Sequence, residues 1–241
     1  GFPEMVAQYT VEGRTPIFHT ENGVLGFGPA PAPGDDDWDL INAGKKAITL
    51  KPGAAFFHHA DSFAMVRGGH LDVAILGAFQ VAQNGDLANW SRDHGDPIAS
   101  VGGAMDLAVG AQRIWVMMQH NSKDGAPRIL ENCTFPLTGS GCVKRVYTDL
   151  AVIEVTPEGF LVTEMIDGMT PEELQNRSAA PLRFAGAAGL ALATGAAEVR
   201  LIDLTNAYAT LGRGGLYKPW TLFEDAPESG RPGTRVLSEA T

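Results

Sequence analysis

The segment 18–28 contains the residues whose types and spacing could most directly perform chemistry. A short apolar run ends near Glu21, and three glycines, Gly23, Gly26 and Gly28, follow that carboxylate. Glycines allow backbone N–H groups and a bulky ligand to come close to a reactive group. A glutamate at the end of a strand in an α/β sheet lies where such folds bind ligands. The same pattern also fits a glutamate that caps a turn or pairs with an arginine.

A second candidate segment is Gly102-Gly103-Ala104, which precedes the helix-like stretch 107–112. The free N–H groups at the start of a helix suit an oxyanion or a phosphate. Helices also begin with glycines for packing reasons, so the spacing alone leaves both roles open.

Two adjacent histidines, His58 and His59, suggest a metal site, but their spacing argues against one. Adjacent side chains point in different directions on a helix or a strand, and neither HxHxD nor HExxH occurs in the chain. We therefore expect no metal site.

Ser62 lies outside any GxSxG motif, so a serine-hydrolase triad has no support. Gln80 follows an apolar run flanked by glycines and is expected in a loop open to ligand.

Charge and composition exclude several classes of partner. The 241 residues carry 18 Lys and Arg against 28 Asp and Glu, a formal net charge of −10. Nucleic acids and anionic membranes need clustered positive charge, so we expect neither as a partner. Cys133 and Cys142 are too few for a disulfide scaffold and wrongly spaced for a zinc knuckle, which favours reduced thiols in the cytoplasm. No run of residues is long and apolar enough for a membrane span.

Apolar runs rich in β-branched residues recur between glycines and predict the strands that position these groups. Strands buried on both faces form continuous hydrophobic runs, so we expect an α/β fold with an open, largely parallel sheet and flanking helices. The runs are Ile17-Phe18, 47–50, 72–76, 114–118 and 143–147.

Two local patterns predict further elements. The runs 151–155 and 160–165 are separated by Thr156-Pro157-Glu158-Gly159, which is typical of a short antiparallel hairpin. Thr170-Pro171-Glu172-Glu173 combines an N-cap, a proline at the first helical position and a glutamate three residues after the cap. This is a capping box, and we expect a helix to follow it.

The segment 18–26, taken with six further motifs in the same order, resembles the B (β) subunit of the family I coenzyme A transferases, in their 3-oxoacid group. The family signature is Leu or Phe, His or Gln, Ser, Glu, Asn, Gly, two aliphatic residues and a small residue. This chain matches it except that Thr20 replaces the serine. The other motifs are 37–45, 68–72, 85–90, 102–107, 136–139 and 147–152.

The resemblance implies that Glu21 is a nucleophile that attacks the thioester of succinyl-CoA. A glutamyl-CoA thioester would follow, and CoA would then pass to a 3-oxoacid. The backbone N–H groups of Gly103 and Ala104, next to Gly102, would stabilise the oxyanion. Asn22 and the three glycines that follow it would shape the wall around the nucleophile and the thiol arm of CoA.

The segment 57–63 is more similar to the 3-oxoadipate branch of the family, which serves aromatic-compound catabolism, than to the ketone-body branch. In that branch His58, His59 and Gln80 would be substrate contacts near the acyl group. No cofactor would be bound permanently, since coenzyme A is a substrate and part of a covalent intermediate. The chain has no A-subunit signature, so the resemblance implies that its partner is a separate CoA-transferase A (α) subunit, in a heterotetramer.

The resemblance also leaves alternatives and defines expected boundaries. The acceptor could be acetoacetate or another 3-oxoacid, and the scaffold could serve an acyl-CoA hydrolase or a metabolite-binding module without catalysis. We expect a catalytic domain over 1–183 and an unmatched C-terminal extension over 184–241. The family's B subunit opens with a helix and a strand before the glycine-rich turn, whereas this chain starts at Gly1-Phe2-Pro3, so we expect an N-terminal segment to be missing.

Overall fold

The computed structural model describes residues 2–9, 16–92 and 101–185, together with two short strands further along the chain. A 3-10 helix spans Phe2–Gln8, and three α-helices follow: α1 (His59–Arg67), α2 (Ala104–Gly110) and α3 (Pro171–Asn176). The strands are β1 (His19–Thr20), β2 (Val24–Phe27), β3 (Leu50–Phe56), β4 (Ala74–Leu76), β5 (Gln80–Ala82), β6 (Leu87–Ala88), β7 (Ile114–Met117), β8 (Ile129–Leu130), β9 (Val143–Tyr147), β10 (Ala151–Thr156), β11 (Gly159–Met165), β12 (Leu182–Phe184), β13 (Leu216–Tyr217) and β14 (Thr234–Arg235).

A six-stranded sheet forms the centre of the fold, in the order β12-β11-β10-β9-β7-β4. Strands β4, β7 and β9 are parallel neighbours, and β11 pairs in parallel with β12. The β10 strand pairs antiparallel with both β9 and β11. The prediction of an α/β fold with a largely parallel sheet and a short hairpin is confirmed.

The hairpin and the capping box lie where the sequence predicts them. Thr156 pairs with Gly159 at the end of the β10–β11 hairpin. The Thr170 side chain accepts from the backbone N–H of Glu173, and the Glu173 carboxylate accepts from the backbone N–H of Thr170 at 2.8 Å. Each bond satisfies an N–H group that the first turn of α3 would otherwise leave unpaired.

Strands β1, β2 and β3 form a separate antiparallel sheet that the sequence pattern does not predict. The strand predicted over 47–50 is misplaced, because only Leu50 belongs to β3 and the strand continues to Phe56. Its sequence contains Pro52 and Gly53, which disfavour strands, and most of its side chains are exposed. Proline is tolerated at a sheet edge, where β3 lies in this sheet.

The main core lies on the six-stranded sheet and on the small sheet β6-β5-β8. Its largest fully buried apolar side chains are Phe160, Leu87, Ile114, Ile129, Ile153 and Leu174. A second, smaller cluster joins the 3-10 helix to the β2 hairpin through Ala7, Val24, Phe27 and Ile48. The division of the chain at residue 183 stays a prediction, since most residues beyond 185 lie outside the described ranges.

Two further findings concern the described residues. None of the helices there has the length and apolar character that crossing a membrane requires.

Cys133 and Cys142 are both free and half-buried. Burial raises the pKa of Cys133 to about 11 and also raises the pKa of Cys142, so both thiols are poor nucleophiles at neutral pH.

Candidate active site

Glu21 lies in the tight turn between β1 and β2. The hairpin pairs His19 with Leu25 and Thr20 with Val24, and the N–H of Gly23 donates to the carbonyl of Thr20 at 3.0 Å. Glu21 therefore follows directly after the last residue of β1, as the sequence predicts.

The turn is held by Thr20 and Asn22. The Thr20 hydroxyl donates to Asn22 Oδ1 and accepts from the N–H of Ala43 at 2.8 Å, and Asn22 Nδ2 donates to the carbonyl of Ile41 at 2.8 Å. The threonine keeps a hydroxyl at the position where the family has serine, and that hydroxyl both donates and accepts a hydrogen bond. Both polar atoms of the Asn22 side chain bind protein, so this residue fixes the turn.

The glycines after Glu21 permit close backbone approaches. Gly23 has φ +119°, in the region that favours glycine, and a Cβ there would overlap the carbonyl oxygen of Phe57. A Cβ on Gly28 would lie 2.6 Å from Oγ1 of Thr49. These glycines bring β2 against the strand and loop that face it, which is a structural reason for their spacing.

The carboxylate of Glu21 lies against Gly103, which is 82 positions away in the sequence. A Cβ placed on Gly103 would overlap Oε2 of Glu21 and would lie 2.5 Å from Cζ of Phe63. Gly103 is the residue before α2, and its φ is −85°, which other residues also adopt. Glycine is therefore required here because there is no space for a side chain, and the backbone conformation does not require it. Within the described part of the chain, no hydrogen bond to the Gly103 amide is found, while the Ala104 amide makes a long bond to Val101 at 3.4 Å.

Helices α1 and α2 pack closely and together form the wall beside Glu21. A Cβ on Gly110 of α2 would overlap the carbonyl oxygen of Val66 of α1. Arg67 at the end of α1 makes two hydrogen bonds to Asp106 of α2, at 2.7 Å and 3.1 Å. The Arg67 guanidinium also lies 5.6 Å from the ring centroid of Phe63.

Burial raises the pKa of Glu21, the positive charge of His59 opposes this rise, and the negative charge of Asp106 adds to it. Glu21 is half-buried, so its carboxylate is only partly hydrated. A partly desolvated carboxylate is a stronger nucleophile than one in bulk water, because less water must be removed when it attacks.

His19 and Ser62 are site residues that sequence reasoning missed. Nε2 of His19 and Oγ of Ser62 are hydrogen-bonded at 2.9 Å, and the His19 ring stacks on Phe57 with centroids 5.7 Å apart. Burial lowers the pKa of His19, so its imidazole is neutral at neutral pH. Both residues belong to motifs that the sequence singles out, but they are 43 positions apart and nothing in the pattern pairs them.

The predicted substrate contacts divide into one that lies near Glu21 and two that serve the fold. His59 is exposed and its ring lies 4.8 Å from that of Phe63, beside the Glu21 carboxylate. His58 caps α1, since its Nδ1 accepts from the N–H of Ala60 at 3.1 Å. Buried Gln80 holds the distant loop at 134–135: its Oε1 accepts from the N–H groups of Thr134 at 2.8 Å and Phe135 at 3.1 Å.

Most of the chain matches a known protein family. The family described as Coenzyme A transferase matches residues 1–176, which is well over half of the chain. The chain belongs to the coenzyme A transferase family. This confirms the family resemblance of the sequence motifs, and the protein is a CoA-transferase.

Curated relatives agree with this membership. The CoA-transferase chain is 57% identical over 183 residues to the B subunit of 3-oxoadipate CoA-transferase from Pseudomonas putida, covering 76% of this chain and 85% of that protein. It is 47% identical over 180 residues to the B subunit of succinyl-CoA:3-ketoacid coenzyme A transferase from Helicobacter pylori, covering 75% of this chain and 86% of that protein.

Solved structures support the fold of this CoA-transferase at low sequence identity. The apoenzyme of the acyl-CoA transferase YdiF from Escherichia coli O157:H7 aligns with TM-score 0.59 and 18% identity, over 80% of this chain and 39% of that one. Glutaconate coenzyme A-transferase from Acidaminococcus fermentans aligns with TM-score 0.51 and 15% identity, over 70% of each chain. These likenesses concern the fold alone.

Proposed function

We propose that this chain is the B subunit of an enzyme that transfers CoA from succinyl-CoA to 3-oxoadipate through a thioester on Glu21. The observation that carries the proposal is the contact between the Glu21 carboxylate and Gly103 at the start of α2. A reactive carboxylate there lies against the residue that begins α2, and the backbone N–H of that residue has no hydrogen bond within the described part of the chain, which suits acyl transfer through an oxyanion. The substrates are inferred from the names of the relatives above.

In the first half-reaction the Glu21 carboxylate attacks the thioester carbonyl of succinyl-CoA. The C–S bond breaks, which leaves a glutamyl–succinyl anhydride and the CoA thiolate. The thiolate then attacks the Glu21 carbonyl of the anhydride, so that a glutamyl-CoA thioester forms and succinate leaves. Covalent catalysis of this kind divides a difficult exchange into steps that each preserve the activation of the acyl group.

In the second half-reaction the carboxylate of the acceptor attacks the glutamyl-CoA carbonyl and displaces the thiolate again. The thiolate attacks the acceptor carbonyl of the new anhydride, which gives 3-oxoadipyl-CoA and returns Glu21 as a carboxylate. No net proton is taken up or released. Water must stay away from the anhydride, and the rings of Phe57 and Phe63 are apolar groups beside the turn and the carboxylate.

The N–H groups of Gly103 and Ala104 are the proposed oxyanion donors. The Gly103 amide is the better placed of the two, because the Ala104 amide already makes its bond to Val101. Gly102 has φ +53° and no atom within 4 Å of a Cβ built on it, so its proposed role is to turn the chain into α2. Asn22 and the glycines that follow it are proposed to hold the turn that presents Glu21.

His59 is the proposed contact for the second carboxylate of the substrates. Succinate and 3-oxoadipate are both dicarboxylates, so one carboxylate remains charged while the other reacts. His59 is exposed beside the Glu21 carboxylate and can donate a hydrogen bond to that second group. The substrate roles predicted for His58 and Gln80 do not enter this proposal, because Nδ1 of His58 caps α1 and the Gln80 amide binds the loop at 134–135.

The proposed partner is a CoA-transferase A (α) subunit, in a heterotetramer. The two curated relatives reported above are themselves named as B subunits. The proposal is tested by co-expression with the A (α) subunit of a related transferase and by measuring the mass of the purified complex. Transfer activity that depends on both chains supports the proposal, and full activity of this chain alone contradicts it.

The covalent intermediate is tested by incubating the complex with succinyl-CoA, reducing with borohydride and analysing peptides by mass. Modification at Glu21 is expected, and Glu21→Gln should abolish both modification and transfer. Transfer by Glu21→Gln at the wild-type rate would overturn the mechanism. Steady hydrolysis of succinyl-CoA without an acceptor would instead identify a hydrolase, and better use of acetoacetate than of 3-oxoadipate would overturn the acceptor.

A further inference from the structure

The hydrogen bond between His19 and Ser62 joins the strand that carries Glu21 to the helix that faces it. His19 is the first residue of β1, and only Thr20 separates it from Glu21. Ser62 lies in α1 with no exposed surface and directly precedes Phe63, whose ring contacts Gly103. The two elements joined by this bond therefore meet again at Gly103, one through the carboxylate and the other through the ring.

His19 is held from a second direction by Phe57. The two rings stack with an interplanar angle of 15°. The N–H of Phe57 donates to the carbonyl of Gly23 at 3.0 Å, in the same turn as Glu21. The imidazole is thus fixed both at its face and at Nε2, and its neutral form requires no counter-ion.

We propose that His19 and Ser62 are a positioning pair that holds the Glu21 carboxylate against Gly103 in the orientation needed for attack on a thioester. Neither residue is catalytic, since neither is assigned a contact with the reacting atoms. The inference rests on the proposed role of Glu21 as the nucleophile. A misplacement of about 1 Å of a reacting group can cost on the order of a hundredfold in rate, so loss of the pair should lower kcat strongly.

The chain contains a second buried His–Ser pair that serves as a matched control. Nε2 of His120 and Oγ of Ser178 are hydrogen-bonded at 2.8 Å. Both residues are buried, and the polar partners of His120 are Thr148, Asp149 and Ser178. Ser178→Ala therefore removes a bond of the same chemistry, together with the bond from Ser178 to the carbonyl of Leu174, from a part of the fold that holds no proposed site residue.

The test compares Ser62→Ala with Ser178→Ala in the complex with the A (α) chain. Both variants should lower the melting temperature, and Ser178→Ala should lower it at least as much as Ser62→Ala, because Ser178 also donates to the carbonyl of Leu174 at 2.9 Å. Ser62→Ala should lower kcat for CoA transfer by roughly tenfold to a hundredfold and leave KM for succinyl-CoA unchanged. Ser178→Ala should keep the wild-type kcat. Equal kcat values for the two variants would overturn the proposal.

Variants of His19 test the same bond without changing a fully buried residue. His19→Ala should lower kcat at least as much as Ser62→Ala, because it also loses the stacking on Phe57. The double variant should be no slower than His19→Ala alone, since the second substitution removes a bond that is already lost. His19→Gln should return kcat to within about threefold of wild type, because its amide can still bond to a hydroxyl. Failure of this rescue, or full additivity in the double variant, contradicts the pairing.

Comparison with Glu21→Gln distinguishes failure of the positioning pair from failure of the proposed function. An inactive Glu21→Gln together with a fully active Ser62→Ala would overturn the positioning pair and leave the proposed function intact. An active Glu21→Gln would overturn the proposed function itself.

Discussion

The missing side chain of Gly103 matters to the proposed chemistry as much as the carboxylate of Glu21. The φ of Gly103 is one that other residues adopt, so glycine is not required there by backbone conformation. The space that a methyl group would fill is occupied by Oε2 of Glu21 and by the edge of the Phe63 ring. Any side chain at this position must therefore move the nucleophile, the ring or α2.

Gly103→Ala is expected to reduce CoA transfer at least about a hundredfold, because the added methyl group displaces the Glu21 carboxylate from its place beside the start of α2. Overpacking of this kind typically costs about 1–3 kcal/mol of stability, so the protein should still fold. The measurements are kcat with succinyl-CoA and the melting temperature. Gly77→Ala is the control, since a Cβ on Gly77 has no atom within 4 Å. Wild-type activity of Gly103→Ala would show that Glu21 does not act from this position.

The adjacent histidines should differ in their effect on substrate choice. His59→Ala should raise KM for 3-oxoadipate by about tenfold, the scale of one hydrogen bond to a charged group, and should change KM for the monocarboxylate acetoacetate little. His58→Asn should change neither KM, because asparagine is also a good N-cap and can replace the Nδ1 bond to Ala60. Equal effects of the two substitutions on 3-oxoadipate would remove His59 from the site.

At the residue scale, the sequence predicts Glu21 and the segment around Gly103 as candidate site residues, but it does not predict that the two are in contact. Each is recognisable from its own glycines, yet a separation of 82 positions leaves no local signal that they meet. Gln80 shows the converse: an amide after a buried strand suggests a ligand site, while its bonds to the loop at 134–135 depend on a fold that the pattern does not encode.

At the scale of elements, the pairing of α1 with α2 determines where Gly103 lies. The exposed ion pair between Arg67 and Asp106 links the two helices, but as a surface pair it adds little stability. The close approach at Gly110 does more, because a backbone carbonyl of α1 fills the place of its side chain. A substitution at either contact between the helices should shift the position of the start of α2.

Gly110→Ala is expected to destabilise the protein by about 1–3 kcal/mol, as overpacking against backbone does, and to lower kcat by shifting α2 relative to Glu21. The control is Val109→Ala, since Val109 is 81% exposed and adjacent on the same helix. Urea unfolding and transfer assays measure both effects. An active and fully stable Gly110→Ala would mean that the helices can separate without moving the site.

Helices and strands can be predicted from the sequence where neighbouring residues determine them. The capping box of α3 and the β10–β11 hairpin depend on residues within a few positions, and both are found as expected. The β1-β2-β3 sheet was missed because β3 contains Pro52 and Gly53 and is stabilised by pairing with β2 rather than by its own propensity. Tertiary pairing overrides intrinsic preference at such edges.

At the scale of the whole molecule, two buried groups that the proposed reaction does not use have opposite effects on pH stability. Burial raises the pKa of Glu164 to about 7 from 4.5, with Arg145 opposing the rise and Glu154 adding to it. Burial lowers the pKa of His120 to about 4 from 6.5, with Asp149 opposing the fall and Arg177 adding to it. Both groups lie in the main body of the fold, so their titration reports on global unfolding.

The two groups should produce slopes of stability that cancel between pH 4.5 and 6.5. Glu164 holds its proton more tightly in the folded state, so the stability it contributes is complete below pH 4.5 and is lost as pH rises through 7. His120 resists protonation in the folded state, so its contribution is complete above pH 6.5 and is lost as pH falls through 4. Each slope is at most about 1.4 kcal/mol per pH unit, with opposite sign.

Substituting either group should therefore expose the slope of the other. Relative to wild type, Glu164→Gln should become more stable as pH rises from 4.5 to 6.5, and His120→Gln should become less stable over the same range. The free energy of unfolding in urea is measured at three pH values for both variants and for the double variant. All other titrating groups contribute equally to the four proteins, so differences between slopes isolate the pair. The double variant should regain the wild-type slope, and a Glu164→Gln line parallel to wild type would contradict a raised pKa at Glu164.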